Sequence, residues 1–296
     1  SLTKAIKEIL NKAGVKKEDA VICVSGHSSV VIKTISLPLM AEDELAASIK
    51  YEAEQYMPFD ISEVYLDFEI LGARQESEQM DVVIAAVKRD VMNDYLQVLN
   101  EAGLSVIIVD TDSFALSNVC ELNYDIADRN NIALINIGAS VTNINILHNG
   151  IPTFTRHIAI GSNVHTERLV SSLDVSREDA ERIKKGQSIE NISDDAIHEV
   201  LSAASDEIYG ELYRSFEYYI SSVGEEDINK IILSGGTSLI RGFVEGMELR
   251  LEKKVELLDP FRNIKISDRI DGKYIKDIAP LAAVVVGLAL RRQGDR

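Results

Sequence analysis

The chain has 296 residues, 46% of them hydrophobic, and sets 48 acidic against 31 basic side chains for a formal charge of -17. That length and apolar content can bury a large core, which a chain of this size tends to divide between two lobes; the acidic balance opposes nucleic acid and anionic lipid as direct partners. Cys23 and Cys120, the two cysteines, sit in apolar stretches and suit buried thiols in a reducing compartment such as the cytoplasm, not a disulfide framework.

Residues 1–14 read as an amphipathic helix, with Leu2, Ile6, Ile9 and Leu10 on one face and Lys4, Lys7 and Glu8 in solvent. Its apolar positions are not contiguous, so no signal peptide is expected. Val21–Val24 and Val30–Ile35 are β-branched runs expected to pair across Ser25-Gly26-His27-Ser28-Ser29. The acids of Ala41-Glu42-Asp43-Glu44 suit a helix start, and Leu45, Ile49 and Tyr56 then fall near one face. Asp81–Val87 and Leu104–Val109 read as strands flanking a helix over about 90–102, with Gly103 just past its end, so this stretch is an α+β insert. A helix over 112–123 follows.

The run Ile132–Leu147 carries the first chemical signal. An apolar strand meets the turn Gly138-Ala139-Ser140, and the next strand places Ile144 and Ile146 on one face and Asn143 and Asn145 on the other. Backbone N–H groups of small turn residues can face an anion, with the Ser140 and Thr142 hydroxyls beside them. Most glycine-turn hairpins bind nothing, so the motif needs company. The Asn149-Gly150 turn extends the hairpin to a three-stranded meander, and 164–223 is helical in pattern and polar in composition.

Company arrives at Lys230–Phe243, a short buried strand ending in Gly235-Gly236-Thr237-Ser238 and opening a helix. Such a turn lets a ligand approach the backbone, and a helix N-terminus favours negative charge. The plainer reading is a tight turn with Ser238 capping the helix. Ile278–Leu290 is an apolar run of 13 residues, too short to cross a bilayer, and reads as a buried helix stopped by Arg291-Arg292. The five histidines, His27, His148, His157, His165 and His198, form no metal-ligand spacing, and the acidic clusters Glu42-Asp43-Glu44, Asp194-Asp195 and Glu225-Glu226-Asp227 read as solvated helix ends.

Together the hairpin, the helical stretch and the Gly-Gly turn resemble the second half of the actin/Hsp70/sugar-kinase fold, with Ile132–Leu147 similar to its second phosphate loop and Leu233–Gly242 similar to its adenosine motif. Val31–Phe68 is closer still to the insert subdomain of the PilM family of type IV pilus assembly proteins, actin-like relatives of FtsA. The marks are Leu37-Pro38, the acidic helix start, Tyr51-Glu52-Ala53-Glu54-Gln55-Tyr56 and Pro58-Phe59. Further on, Phe154-Thr155-Arg156, Gly161, Thr166, Ala180-Glu181-Arg182-Ile183-Lys184 and Arg214-Ser215-Phe216-Glu217-Tyr218-Tyr219 also resemble that family.

The resemblance implies an α/β, actin-like (ribonuclease H-like) two-lobed fold. The first lobe is expected to be N-terminally incomplete, because relatives open on a strand–turn–strand with an Asp-x-Gly phosphate loop and residues 1–14 read as helix. It divides the chain into a partial first lobe (1–35), the α+β insert (36–110), a first-lobe helix (111–128), the second-lobe core (129–163), a helical outer subdomain (164–228), and second-lobe core with a C-terminal helix returning to the first lobe (229–296). It implies ATP with Mg²⁺ at Asn136, Gly138, Ala139, Ser140, Thr142, Gly161, Glu181, Lys184, Gly235, Gly236, Thr237 and Ser238. On the residues alone, Glu181 and Lys184 fit an exposed i, i+3 ion pair equally well. Asn136 stands where relatives often carry an acid, and Gly161-Ser162 where they often carry Gly-Gly, which weighs against hydrolysis more than against binding.

The function implied is a cytoplasmic scaffold, peripheral to the inner membrane through a protein partner. That scaffold binds the cytoplasmic N-terminal tail of PilN and meets other pilus inner-membrane components, with no nucleic acid and no direct membrane insertion. Ile35, Leu37, Tyr51 and Phe59 are candidates for the wall of the groove that takes the tail, with core packing as the alternative. Two other readings stay open: an active or polymerising FtsA-like ATPase, and the actin-like cytoplasmic component of a type II secretion system.

Overall fold

The computed structural model describes residues 1–15, 19–26, 28–74, 78–126, 131–223, 227–292 and 294; His27 and Glu225-Glu226, named above, lie outside them. The chain forms two compact units, Ser1–Ala115 with Gly287–Arg296, and Leu116–Val286. The architecture is mixed α/β.

In the first unit, helix α1 (Leu2–Ala13) is capped at both ends as its sequence predicts, by Ser1 and by Gly14 in the left-handed region, but it buries none of its residues. Strand β1 (Asp19–Val24) does not pair with β2 (Val30–Pro38). It runs parallel to β5 (Ser105–Thr111), from Asp19 against Ser105 to Val24 against Thr111. β2 instead forms the edge of a three-stranded antiparallel sheet, β2-β4-β3, with β4 (Gln79–Lys88) in the centre and β3 (Val64–Arg74) beyond it.

The reason lies in the burial along β2. Val30 and Ile32 pack with Val83, Val87 and Met92, whereas Ile35 and Leu37 pack with Leu45, Ile49 and Met80. The buried parity changes midway, so one strand serves two cores on opposite faces of its sheet. A short hairpin with β1 would leave one of those faces bare.

Helix α2 (Glu42–Glu54) covers one face through Leu45, Ile49 and Ala53, with the acids of its first turn placed as expected and Tyr56 packed at the edge of the same cluster. Helix α3 (Arg89–Ala102) ends at Gly103, φ 87°, as expected. The β5 strand belongs with β1 and not with the insert sheet, because β4 already has β2 and β3 on its two edges.

Helix α4 (Asp112–Asn123) is followed by the core of the second unit, a five-stranded sheet in the order β10-β9-β6-β7-β8. The expected meander is there: β6 (Asn131–Ile137), β7 (Thr142–His148) and β8 (Ile151–Ile158) are antiparallel neighbours. Asn149 and Gly150 have φ of 53° and 79°, the signature of a type I′ hairpin turn. β9 (Lys230–Ser234) lies parallel to β6 on the other side, with β10 (Lys254–Leu257) outside it.

One face of this sheet packs on α5 (Asn163–Leu173), α6 (Arg177–Lys184), α7 (Asp194–Val223) and α8 (Phe243–Leu251) through Ile135, Ile144, Ile146, Leu212, Tyr219 and Leu233. The other packs on Leu116, Val119, Cys120 and Ala283 through Leu134, Leu147 and Ile232. Asn143 and Asn145 are therefore buried too, and Asn145 donates to Ser117 Oγ at 2.8 Å.

Two local expectations change. The Gly-Gly turn opens a 3-10 turn, Gly236–Leu239, before α8 starts, and Ser238 does not cap that helix: its hydroxyl donates back to Gly235 O at 2.7 Å. Helix α9 (Gly272–Ala289) runs through Pro280 and buries one side, through Ala279, Ala282, Ala283 and Leu288. Leu281 and Val285 are 56% and 61% exposed, so this helix is not buried all round.

Candidate functional site

The predicted nucleotide residues all fall in the second unit: Gly138, Ala139 and Ser140 form the loop at the end of β6, Gly161 and Thr237 touch it, and Gly235 packs on Ile137 just before it. Gly138 N–H donates to Val141 O at 3.0 Å, which closes the loop. Two carbonyls of the loop are then held from outside: Ser162 N–H donates to Gly138 O at 2.9 Å and Asn163 N–H to Ala139 O at 2.8 Å. Because a trans peptide is planar with its N–H opposite its C=O, fixing these carbonyls against the start of α5 turns the Ala139 and Ser140 amides the other way. Both residues are exposed, and among the described residues no backbone carbonyl accepts from either amide. Two adjacent outward N–H groups with the Ser140 hydroxyl beside them are suited to an anion such as a phosphate.

Glycine is required at two points of this frame by close approach. A Cβ on Gly161 would sit 2.5 Å from Gly138 O and 2.7 Å from Ala139 C. A Cβ on Gly235 would sit 2.3 Å from Ile137 O, and the residue has φ 92°, a conformation reserved for glycine. Gly235 N–H donates to Pro280 O at 2.8 Å, so that turn is tied to α9 and its amide is already used. The hydroxyls predicted to face the ligand largely serve the frame. Thr142, fully buried, donates to Ile160 O at 2.8 Å, and Thr237, also buried, donates to Gly138 O at 3.2 Å. Asn136 Oδ1 accepts from Ser234 Oγ at 3.2 Å, across the β6–β9 register. Gly236 opens the 3-10 turn beside Leu281.

Glu181 and Lys184, on α6, face the start of α5. Lys184 Nζ lies 2.9 Å from Glu181 Oε1, 2.9 Å from Thr166 Oγ1 and 3.2 Å from Ser162 Oγ, and Thr166 Oγ1 donates to Glu181 Oε1 at 2.6 Å. The Lys184 side chain is 8% exposed and that of Glu181 43%. Partial burial pushes the Glu181 carboxyl up, but the bonds from Thr166 and Lys184 outweigh it and hold the group below its ordinary value. His165 lies just behind, fully buried, with Nε2 3.0 Å from Ser205 Oγ. Burial, and then the Lys184 charge, lower its pKa from 6.5 to about 4, so the ring is neutral at pH 7.

The predicted partner residues lie in the first unit and do not form one surface. Ile35 and Leu37 are core residues between the three-stranded sheet and α2, because they occupy the inward parity of the second half of β2. Tyr51 is 79% exposed on α2, and the Phe59 ring, half-buried, lies under Lys88 Nζ at 4.7 Å.

Other polar features had no sequence signal. The Ser162 and Asn163 amides act through backbone, which any residue supplies. Asp110, buried at the end of β5, pairs with Arg291 at 3.3 Å; burial raises its pKa against the opposing Thr111 N–H and Arg291. Among the described residues no three His, Cys, Asp or Glu side chains are grouped to hold a metal, and no helix is long and apolar enough to cross a membrane.

A family model described as "Type IV pilus assembly protein PilM" matches residues 1–293. A solved structure of a PilM-PilN type IV pilus biogenesis complex is 28% identical with a TM-score of 0.85, covering 98% of this chain and 84% of that one. The ethanolamine utilization protein EutJ from Carboxydothermus hydrogenoformans is 20% identical over 66% of this chain and 59% of its own, TM-score 0.48. MreB5 of Spiroplasma citri bound to AMPPNP is 16% identical over 69% and 64%, TM-score 0.49.

Proposed function

The chain belongs to the type IV pilus assembly protein PilM family, with its actin-like α/β fold, and on that premise we propose that it is a nucleotide-binding scaffold of the pilus assembly machine. In this reading Mg²⁺-ATP binds with its phosphates against the Ala139 and Ser140 amides, and the exposed Glu181 carboxylate faces the sugar. The protein partner is the cytoplasmic tail of PilN, through which the scaffold joins other inner-membrane components and lies at the inner face of that membrane.

The observation that carries the nucleotide half is the loop whose Gly138 and Ala139 carbonyls are held by the Ser162 and Asn163 amides, leaving its own amides outward. The partner half is supported by the relative solved as a PilM-PilN complex. Scaffold is preferred to ATPase because Asn136, the residue where relatives often carry an acid, supplies a neutral amide in place of a carboxylate ligand for Mg²⁺. The Mg²⁺ would arrive with the phosphates.

Gly161→Ala tests this site. Its Cβ must displace the Gly138–Ala139 peptide, whereas the residue's own φ is not left-handed, so the fold should survive. The expected result is a native far-ultraviolet spectrum with ATP affinity reduced at least tenfold, about 1.4 kcal/mol. Unchanged affinity in a folded variant would remove the assignment.

A further inference from the structure

The resemblance assigns Lys184 to the nucleotide, yet its surroundings give it a different task. An ammonium has three N–H donors and no acceptor. Three oxygens stand within reach of Lys184 Nζ: Glu181 Oε1 and Thr166 Oγ1 at 2.9 Å each, and Ser162 Oγ at 3.2 Å. The side chain is nearly closed to solvent. Thr166 Oγ1 accepts from Lys184 and passes its own proton to Glu181 Oε1, so the three groups form one chain of bonds. Ser162 joins this cluster to the loop, because the residue whose hydroxyl meets Lys184 also donates its backbone N–H to Gly138 O.

We infer that Lys184 is a positioning residue and not a nucleotide ligand. It anchors the Ser162 side chain to α6, and so holds the Ser162 amide on the Gly138 carbonyl and the Ala139 amide outward. The hydroxyl at position 162 is what makes this possible; a glycine there would leave the third donor of Lys184 free for a ligand. This inference rests on the nucleotide reading proposed above.

The test is a double-mutant cycle on the full chain, with Lys184→Met, Ser162→Ala and both together. Each variant is read twice: as the thermal midpoint without nucleotide, and as ATP affinity at a temperature far below that midpoint. If Lys184 positions Ser162, both singles lower the nucleotide-free midpoint by several degrees. Both also weaken ATP by a similar factor, although Ser162→Ala removes no predicted ligand, and the double variant is no worse than Lys184→Met alone. Lys184→Arg, whose planar fork cannot reproduce three divergent bonds, should recover only part of the loss.

A Lys184→Met variant with an unchanged nucleotide-free midpoint and abolished ATP binding would make Lys184 a ligand and overturn the inference. A lowered midpoint with unchanged affinity would also overturn it, leaving a purely structural ion pair. Should Lys184→Met not fold, Thr166→Val carries the same cycle with Ser162→Ala. If the wild-type chain itself binds no ATP, the nucleotide reading fails, and the coupling of the two nucleotide-free midpoints still decides whether the strut exists.

Discussion

At the scale of single residues, the site is made of backbone more than of side chains. Its sequence marks were glycines and small hydroxyls, and the types were legible while their jobs were not. Gly235 reads as a place for a ligand to approach, and Gly161 as a nucleotide residue by resemblance; in the fold, what approaches each is the protein's own backbone, the Gly138–Ala139 loop at 2.5 Å and Ile137 of β6 at 2.3 Å from where a Cβ would be. Thr142, Thr237 and Ser238 read as ligand hydroxyls and instead donate to carbonyls of the frame. No pattern in one sequence separates these cases, because both need a small or hydroxylated residue at a turn.

His165 shows the same limit, and it makes a prediction. Nothing in its neighbourhood marks it as buried, but its ring is enclosed beside Ser205 with a pKa of about 4. Its folded pKa lies below the unfolded value near 6.5, so between these values the unfolded chain binds a proton that the folded chain does not. Stability is therefore full above about pH 6.5 and falls as the pH drops toward 4, by on the order of 3 kcal/mol over the window. Urea unfolding at pH 7 and pH 4.5 should show the fall, and His165→Gln should flatten it. An equally steep fall in that variant would assign the acid sensitivity to other groups.

At the scale of elements, the chain was most legible where one periodicity serves one core. The limits of α4, the β6–β7–β8 meander and the Gly103 stop of α3 agree closely with expectation, since alternation, turn dipeptides and caps are local. Elements that serve two environments were not. β2 changes its buried parity halfway, so its first residues do not point to its partner β4, and the 11-residue strand β3 has no counterpart among the expected elements despite the alternation of Val64, Leu66, Phe68 and Ile70. α9 reads as wholly apolar, but Ala279, Ala282, Ala283 and Leu288 are buried while Leu281 and Val285 are exposed.

The end of that helix supplies an element-scale prediction. Arg291, just beyond α9, pairs with the buried Asp110 at the end of β5. Arg291→Met removes that cation from a carboxylate with almost no access to water, and should destabilise the chain by about 3–5 kcal/mol, with Asp110→Asn in the same background recovering part of it. A loss under about 1 kcal/mol in chemical denaturation would mean that the pair is no stronger than one at the surface.

For the whole molecule, the actin-like α/β class was readable from the order of two motifs and the family from Val31–Phe68, whereas the three-stranded meander was expected without the β9 and β10 strands that extend it to five. The partner surface was not readable. Apolar residues near the insert were equally consistent with groove and core, and burial decides for core at Ile35 and Leu37. The scaffold reading therefore predicts that a peptide of the PilN cytoplasmic tail binds with saturable heat, and that Ile35→Ala or Leu37→Ala weakens it only through loss of fold. A folded variant at either position with lost peptide binding would restore those residues to the contact surface.

The central claim is that the Gly138–Val141 loop holds the phosphates of a nucleotide. The most direct measurement is a calorimetric titration of the chain with Mg²⁺-ATP, followed in the same sample by an assay for released phosphate. The account predicts saturable binding near one equivalent, with no phosphate release above the buffer rate. A titration without saturable heat would contradict it, and the loop would then be a turn whose outward amides serve only water.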